Sequence, residues 1–162
     1  FIFKFGDEMK MKHKKKRPDS AIRCPTCGST MILRSADGIY RDNPDHTMLY
    51  VCKHYPECDT YMRTYPGTGI PMGMPANREL RALRIEAHRY FDQLYLRGIM
   101  SKKDAYLWLA ELLQVPLSQA HISFLGEYYC RKVMEESKKL LEGYSFRRKG
   151  TAVSMREGAA VS

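Results

Sequence analysis

The sequence predicts an α+β protein, a small antiparallel sheet followed by a three-helix unit. Three observations lead there. Four of the five cysteines fall between Cys24 and Cys58, among short β-prone runs. From Asn77 onward apolar residues recur at steps of three and four, the period of an amphipathic helix. Between the two patterns, "PGTGIPMGMP" concentrates Pro and Gly and can continue neither a strand nor a helix.

The chain opens on Phe1 rather than Met, and residues 1–8 read as a fragment edge or upstream read-through, with Met9 or Met11 as the start. "KMKHKKKR", Lys10 to Arg17, holds six Lys or Arg and no acid. Such a run repels itself and offers nothing to bury, so residues 1–19 are expected to be a flexible basic arm. Residues 20–66 contain "TMILRS", "MLYVCK" and "TYMRTY", separated by the turn signals Asp37-Gly38 and Asn43-Pro44, and read as three short strands. Residues 67–75 read as a linker.

Residues 76–143 read as the helical domain. Leu80, Leu83, Ala87, Phe91 and Leu94 share one face of a first helix closed by Gly98. Ser101 is an N-cap for a second helix carrying Ala105, Trp108, Leu109, Leu112 and Leu113, which stops before Pro116. A third helix from about Phe124 to Leu141 aligns Leu125, Tyr129, Val133 and Leu140, with Gly143 as its stop. The tail, residues 144–162, has little to bury and is expected to be disordered.

The cysteines carry the clearest chemistry. Cys24 and Cys27 are separated by two residues, Cys52 and Cys58 by five, and the pairs by 24. A Cys-x-x-Cys turn supplies two soft ligands from one knuckle, and four thiolates complete a tetrahedral zinc shell. Pro25 sets φ after the first ligand, Gly28 tolerates positive φ after the second, and Pro56 turns the chain so that Cys58 returns towards Cys52. A segment of this size cannot sustain a core alone, which favours one structural zinc ion over free or redox-active thiols. Four sulfur ligands leave no position for water, so the site is expected to be structural. His54 is left as an exposed loop residue. His88, His121 and Cys130 have no ligand spacing and read as core or cap residues.

Lys and Arg outnumber Asp and Glu by 27 to 18 among 162 residues, a formal net charge of +9. Polyanions are therefore plausible partners. Arg34, Tyr40, Arg41, Tyr50, Lys53, Tyr55, Tyr61, Arg63 and Tyr65 mix cations with flat rings inside one unit, which sequence-tolerant nucleic-acid binding requires. Of these, Arg34, Arg41, Lys53, Tyr55, Tyr61 and Arg63 are the candidate nucleic-acid contacts. The first helix sets Arg78, Arg81 and Arg89 opposite its apolar stripe, with Arg84 at the flank, and this reads as a solvated face ahead of the alternative, a phosphate-binding strip. No nucleophile elbow, phosphate loop or His-Glu-x-x-His motif occurs, so the reading is non-enzymatic. With no span of about 20 apolar residues, the expectation is a cytoplasmic protein in a reducing compartment, without membrane contact.

"CPTCGSTMILR" followed by "CKHYPECDTY" resembles the four-cysteine zinc ribbons at the C-terminus of bacterial type IA DNA topoisomerases, over roughly residues 22–65. That resemblance implies a zinc ribbon touching single-stranded DNA through basic and aromatic residues; it implies no strand passage, since no topoisomerase catalytic domain accompanies it. Residues 22–140 are also similar to a family of zinc-finger-containing proteins from bacteria and their phages. There a ribbon precedes segments like "ELRALRIEAHRYFDQLY", "SKKDAYLWLAELL" and "HISFL", which implies an architecture and no activity. Two other functions stay open beside nucleic-acid binding: an adaptor docking on a host protein, with zinc as a staple only, and a transcription regulator.

Overall fold

The computed structural model describes residues 21–157. The basic arm expected over residues 1–19 lies outside them. Four strands, β1 (Met31–Ser35), β2 (Met48–Cys52), β3 (Tyr61–Thr64) and β4 (Pro71–Ala76), form one antiparallel sheet in the order β1-β2-β3-β4. The three strands read from the sequence fall within a residue or two of their expected limits. Asn43 fixes the β1–β2 connection, its Oδ1 accepting from Thr47 N at 2.8 Å and its Nδ2 donating to Asp37 at 2.9 Å.

The fourth strand corrects the expectation of a linker over residues 67–75. β4 is an edge strand, where a missing proline N–H leaves no ladder partner unmet. Its pairing with β3 jumps from Arg63↔Met72 to Tyr61↔Ala76, and this bulge absorbs Gly73, Met74 and Pro75 opposite Met62. Gly73 has φ +99, and a Cβ there would lie 2.7 Å from the Ser123 carbonyl oxygen. Gly73→Ala is therefore expected to cost about 1–3 kcal/mol from backbone strain and displaced packing. Urea midpoints check this, with Gly126→Ala, where a Cβ meets nothing within 4 Å, as the control.

Strand pairing sorts side chains between two faces. Met31, Tyr50, Cys52 and Met62 pack together on the cysteine-bearing face. Leu49 and Val51 are buried on the other, covered by Ile39, Tyr40, Tyr55 and Tyr61. Neither cluster is large.

Helices α1 (Arg78–Leu96), α2 (Lys102–Leu113) and α3 (Glu127–Glu157) follow, with 3-10 turns at Leu117–Gln119 and Ile122–Phe124. Asn77 caps α1 through Leu80 N at 3.0 Å, and Gly98, at φ +71, ends the segment as expected. Ser101 caps α2 through Asp104 N at 3.1 Å. Phe91 is fully buried at the centre of the helical core, with Ala87, Leu94, Leu109 and Val133 around it.

The third helix differs from its sequence reading in three ways. It begins at Glu127, because a 3-10 turn occupies Ile122–Phe124. Its buried stripe is Cys130, Val133, Ser137 and Leu141, while Tyr129 is exposed. Both stripes satisfy a period of 3.6, and the small Cys130 and Ser137 side chains let α3 lie close against α1. Finally, Gly143 does not stop it: the segment expected to be a disordered tail is helical through Glu157, and residues 158–162 lie outside those described. A mid-helix glycine costs only about 1 kcal/mol relative to alanine, and no proline follows. No helix among the described residues is long and apolar enough to cross a membrane.

Candidate metal centre

Two turns bring the four cysteines together. In the first, Cys24 N donates to Ser29 O at 2.7 Å and Gly28 N to Cys24 O at 2.8 Å, with Gly28 at φ +76 as a thiolate knuckle demands. In the second, Tyr55 N donates to Cys52 O at 2.9 Å and Cys58 N to His54 O at 3.1 Å, around a cis Tyr55-Pro56 peptide. The five-residue spacing thus encloses a compact turn that returns Cys58 to Cys52.

The sulfurs lie within 4.8 Å of one another. Cys24 and Cys58 are 3.6 Å apart and Cys27 and Cys52 3.4 Å. A tetrahedron with Zn–S near 2.3 Å has edges of about 3.8 Å, so the donor set and its dimensions fit one zinc ion. Cys24 and Cys52 are buried, Cys58 half-buried and Cys27 exposed. A zinc ion held this way supplies folding energy and presents no open coordination position.

The surroundings act differently on the thiols. Burial works to raise Cys24, yet the backbone N–H groups of Cys27 and Thr26, with the Thr60 and Cys58 side chains, outweigh it and lower the thiol to about 6. The Ser29 hydroxyl and N–H lower Cys27. Burial lifts Cys52 to about 12, so metal binding must displace its proton. Thr60, fully buried, stands behind the site: its Oγ1 is 2.6 Å from Thr26 Oγ1 and accepts from the Cys58 thiol at 3.6 Å. Neither threonine was singled out in the sequence, where nothing marks them; only the fold brings positions 26 and 60 together.

Asp59, next to the ligand Cys58, ties the site to the helices. Its carboxylate accepts from Arg78 N at 3.2 Å and lies 3.5 Å from the Arg81 guanidinium. Arg81 Nη1 also donates to Asp59 O and Ala76 O, both at 2.7 Å, and its guanidinium lies 3.8 Å above the Tyr61 ring. Arg84 donates to Leu125 O and Met74 O, both at 2.9 Å, and its burial lowers its pKa. The expectation of a solvated arginine face is therefore corrected for these two residues, which clamp sheet to helices; Arg78 and Arg89 are exposed as expected.

The candidate nucleic-acid residues are only partly gathered. Arg34 and Arg63 each pair with Leu49, which places them on the same face, one strand to either side of it. Tyr55 and Tyr61 are half-buried on that face, Tyr61 in edge contact with Tyr40 at 6.4 Å. Arg41 and Lys53 are exposed in the connections after β1 and β2. Tyr50 is buried on the opposite face, its hydroxyl donating to Gly69 O at 2.8 Å, and so is a core residue. Among the described residues, the four cysteines are the one group of His, Cys, Asp and Glu side chains close enough to hold a metal. His54 is exposed beside it.

Residues 20–140 match the family model described as a zinc-finger-containing domain, DUF3268. No curated protein and no solved structure matches the chain. The match spans well over half of the sequence and takes in the four cysteines, the sheet and most of the helical unit, so the chain belongs to this family of zinc-finger-containing domains.

Proposed function

We propose that the protein is a non-enzymatic, cytoplasmic nucleic-acid-binding protein in which zinc holds a sheet whose basic, tyrosine-bearing face takes single-stranded DNA. One observation carries this reading. The four strands contain two arginines and no Asp or Glu, and both arginines stand on the face roofed by Tyr40, Tyr55 and Tyr61. Among the described residues no ion pair engages Arg34, Arg41, Lys53 or Arg63, so their charges are free for phosphates. The half-exposed rings of Tyr40 and Tyr55 beside them offer stacking surface worth about 1–3 kcal/mol per base. The likeness of "CPTCG" and "CKHYPEC" to topoisomerase ribbons supports single strands over duplex.

The test is fluorescence anisotropy of zinc-loaded protein on labelled oligothymidylate at low salt. Arg34→Ala combined with Arg63→Ala should weaken binding by roughly tenfold or more, because two of the phosphate contacts disappear. A wild-type affinity unmoved by the double substitution would show that this face is not the site.

A second reading, an adaptor that docks on a host protein, is favoured by the exposed Leu117, Phe124, Tyr128 and Tyr129 at the turn into α3. Surface aromatics of this kind are enriched where proteins meet. Recovery of one stoichiometric protein partner, lost on Tyr128→Ala, would favour it.

A further inference from the structure

The sheet face does not end at β3. Arg81 reaches from α1 to lie 3.8 Å above Tyr61, and its hydrogen bonds to Asp59 O and Ala76 O hold it there. From Arg81, a step of three back reaches Arg78, and steps of four and eight forward reach Ile85 and Arg89, all on one side of the helix. Arg78 and Arg89 are exposed, and among the described residues no ion pair engages either. Ile85 between them is 61% exposed.

Resting on the function proposed above, we infer that the nucleic-acid track runs from the sheet across Arg81 and along α1, where Arg78 and Arg89 hold phosphates beyond those taken by Arg34 and Arg63. Arg78 and Arg89 are eleven residues apart, about 16 Å along a helix. A stacked strand rises about 3.4 Å per nucleotide along its axis, so this stretch matches about five nucleotides. β1 to β3 adds two strand spacings, about 10 Å. The exposed isoleucine supplies apolar surface for a sugar or base between the two cations. Of the nearby acids, Asp59 at the junction of sheet and helix is paired with Arg81 at 3.5 Å. Asp92 accepts from the Tyr95 hydroxyl at 2.8 Å and lies 3.8 Å from His88, while Glu79 and Glu86 lie about 100–120° round the helix from Ile85. Arg84 is excluded from the track, its half-buried guanidinium being held between Leu125 O and Met74 O.

Length dependence separates this extension from the reading it rests on. Full-length, zinc-loaded protein is titrated with oligothymidylate of about 5 and about 15 nucleotides, within the range of single-strand site sizes. Arg78→Ala with Arg89→Ala should weaken the longer strand by roughly tenfold and flatten its log K against log salt slope by about 1.4, with the shorter strand within about twofold of wild type. Arg147→Ala with Arg148→Ala removes the same charge off the track and should leave both lengths within about twofold; circular dichroism confirms that each variant is folded. If the two double variants behave alike on the longer strand while Arg34→Ala with Arg63→Ala weakens both lengths, the helical extension is wrong and the sheet site stands. Failure of the wild-type protein to bind either length overturns both, as does an oligoglutamate of matched length that competes as well as DNA.

Discussion

Chelation of zinc is expected to unfold residues 22–65 while the helical core stays folded. The sheet has too little to hold it otherwise. One face buries Met31, Tyr50 and Met62 around the cysteines, the other Ala36, Leu49 and Val51. A unit this small does not cover the entropy of ordering its chain. Structural zinc contributes about 10–16 kcal/mol in small domains, comparable with or larger than the whole stability of about 5–15 kcal/mol typical of a protein. Cys52→Ser should act in the same direction as chelation, since Cys52 is buried at the end of a central strand. Acid should mimic chelation, because protons compete for the sulfurs. Amide hydrogen exchange reads the result by region: protection at Leu49–Cys52 should vanish, while protection around Phe91, Leu109 and Val133 persists. The first turn of α1 should loosen with the sheet, because Asp59, adjacent to Cys58, holds Arg78 N and Arg81. Unchanged protection at Leu49–Cys52 in metal-free protein would contradict a structural role for the site.

Phe91→Ala is expected to destabilise the helical unit by about 3–5 kcal/mol, the range for removing a buried aromatic side chain. Phe91 is fully buried, stacked at 14° on Trp108 with centroids 6.4 Å apart, and in edge contact with Tyr95 and Tyr106. Those three rings are tethered to two different helices, α1 and α2, so the space left behind cannot close without moving both. Leu96→Ala on the same helix should cost no more than about 0.5 kcal/mol, because Leu96 is 74% exposed. Urea titration of both variants decides it. A Phe91→Ala cost near that of Leu96→Ala would mean that the packing described around Phe91 is wrong.

Local chemistry was legible in the sequence wherever one turn or one helix face decided the outcome. The knuckle glycine Gly28, the cap Ser101, the stop at Gly98 and the stripe from Leu80 to Leu94 all act within a few residues, and periodicity or capping rules reach that far. The cysteine cluster was legible because four soft ligands in pairs have few uses. Tertiary contacts overrode the local signals elsewhere. "PMGMPA" looks like a linker until β3 offers it an edge and a bulge takes up Gly73 and Pro75. Arg81 and Arg84 look like surface charges until Tyr61, Ala76, Met74 and Leu125 are carried to within reach. In α3 the stripe through Tyr129 and the stripe through Cys130 both satisfy helical period, and the close approach of α1 selects the second.

The clamp between sheet and helices bears on function. Arg81 bridges the carbonyl of Asp59, the carbonyl of Ala76 and the ring of Tyr61, so the zinc-held turn, the edge strand and α1 share one side chain. The cationic sheet face and the exposed side of α1 are thereby held in a fixed relation, which would preorganise the surface proposed above for a charged strand.

The most direct measurement of the proposed function is the affinity of zinc-loaded, full-length protein for labelled single-stranded DNA across a salt series. Binding through Arg34, Arg63 and their neighbours predicts a linear fall of log K with log salt, with a slope of about −0.7 for each phosphate neutralised, and weaker retention of duplex DNA under the same conditions. No detectable binding at low salt, or an affinity that does not change as salt is raised, would contradict it.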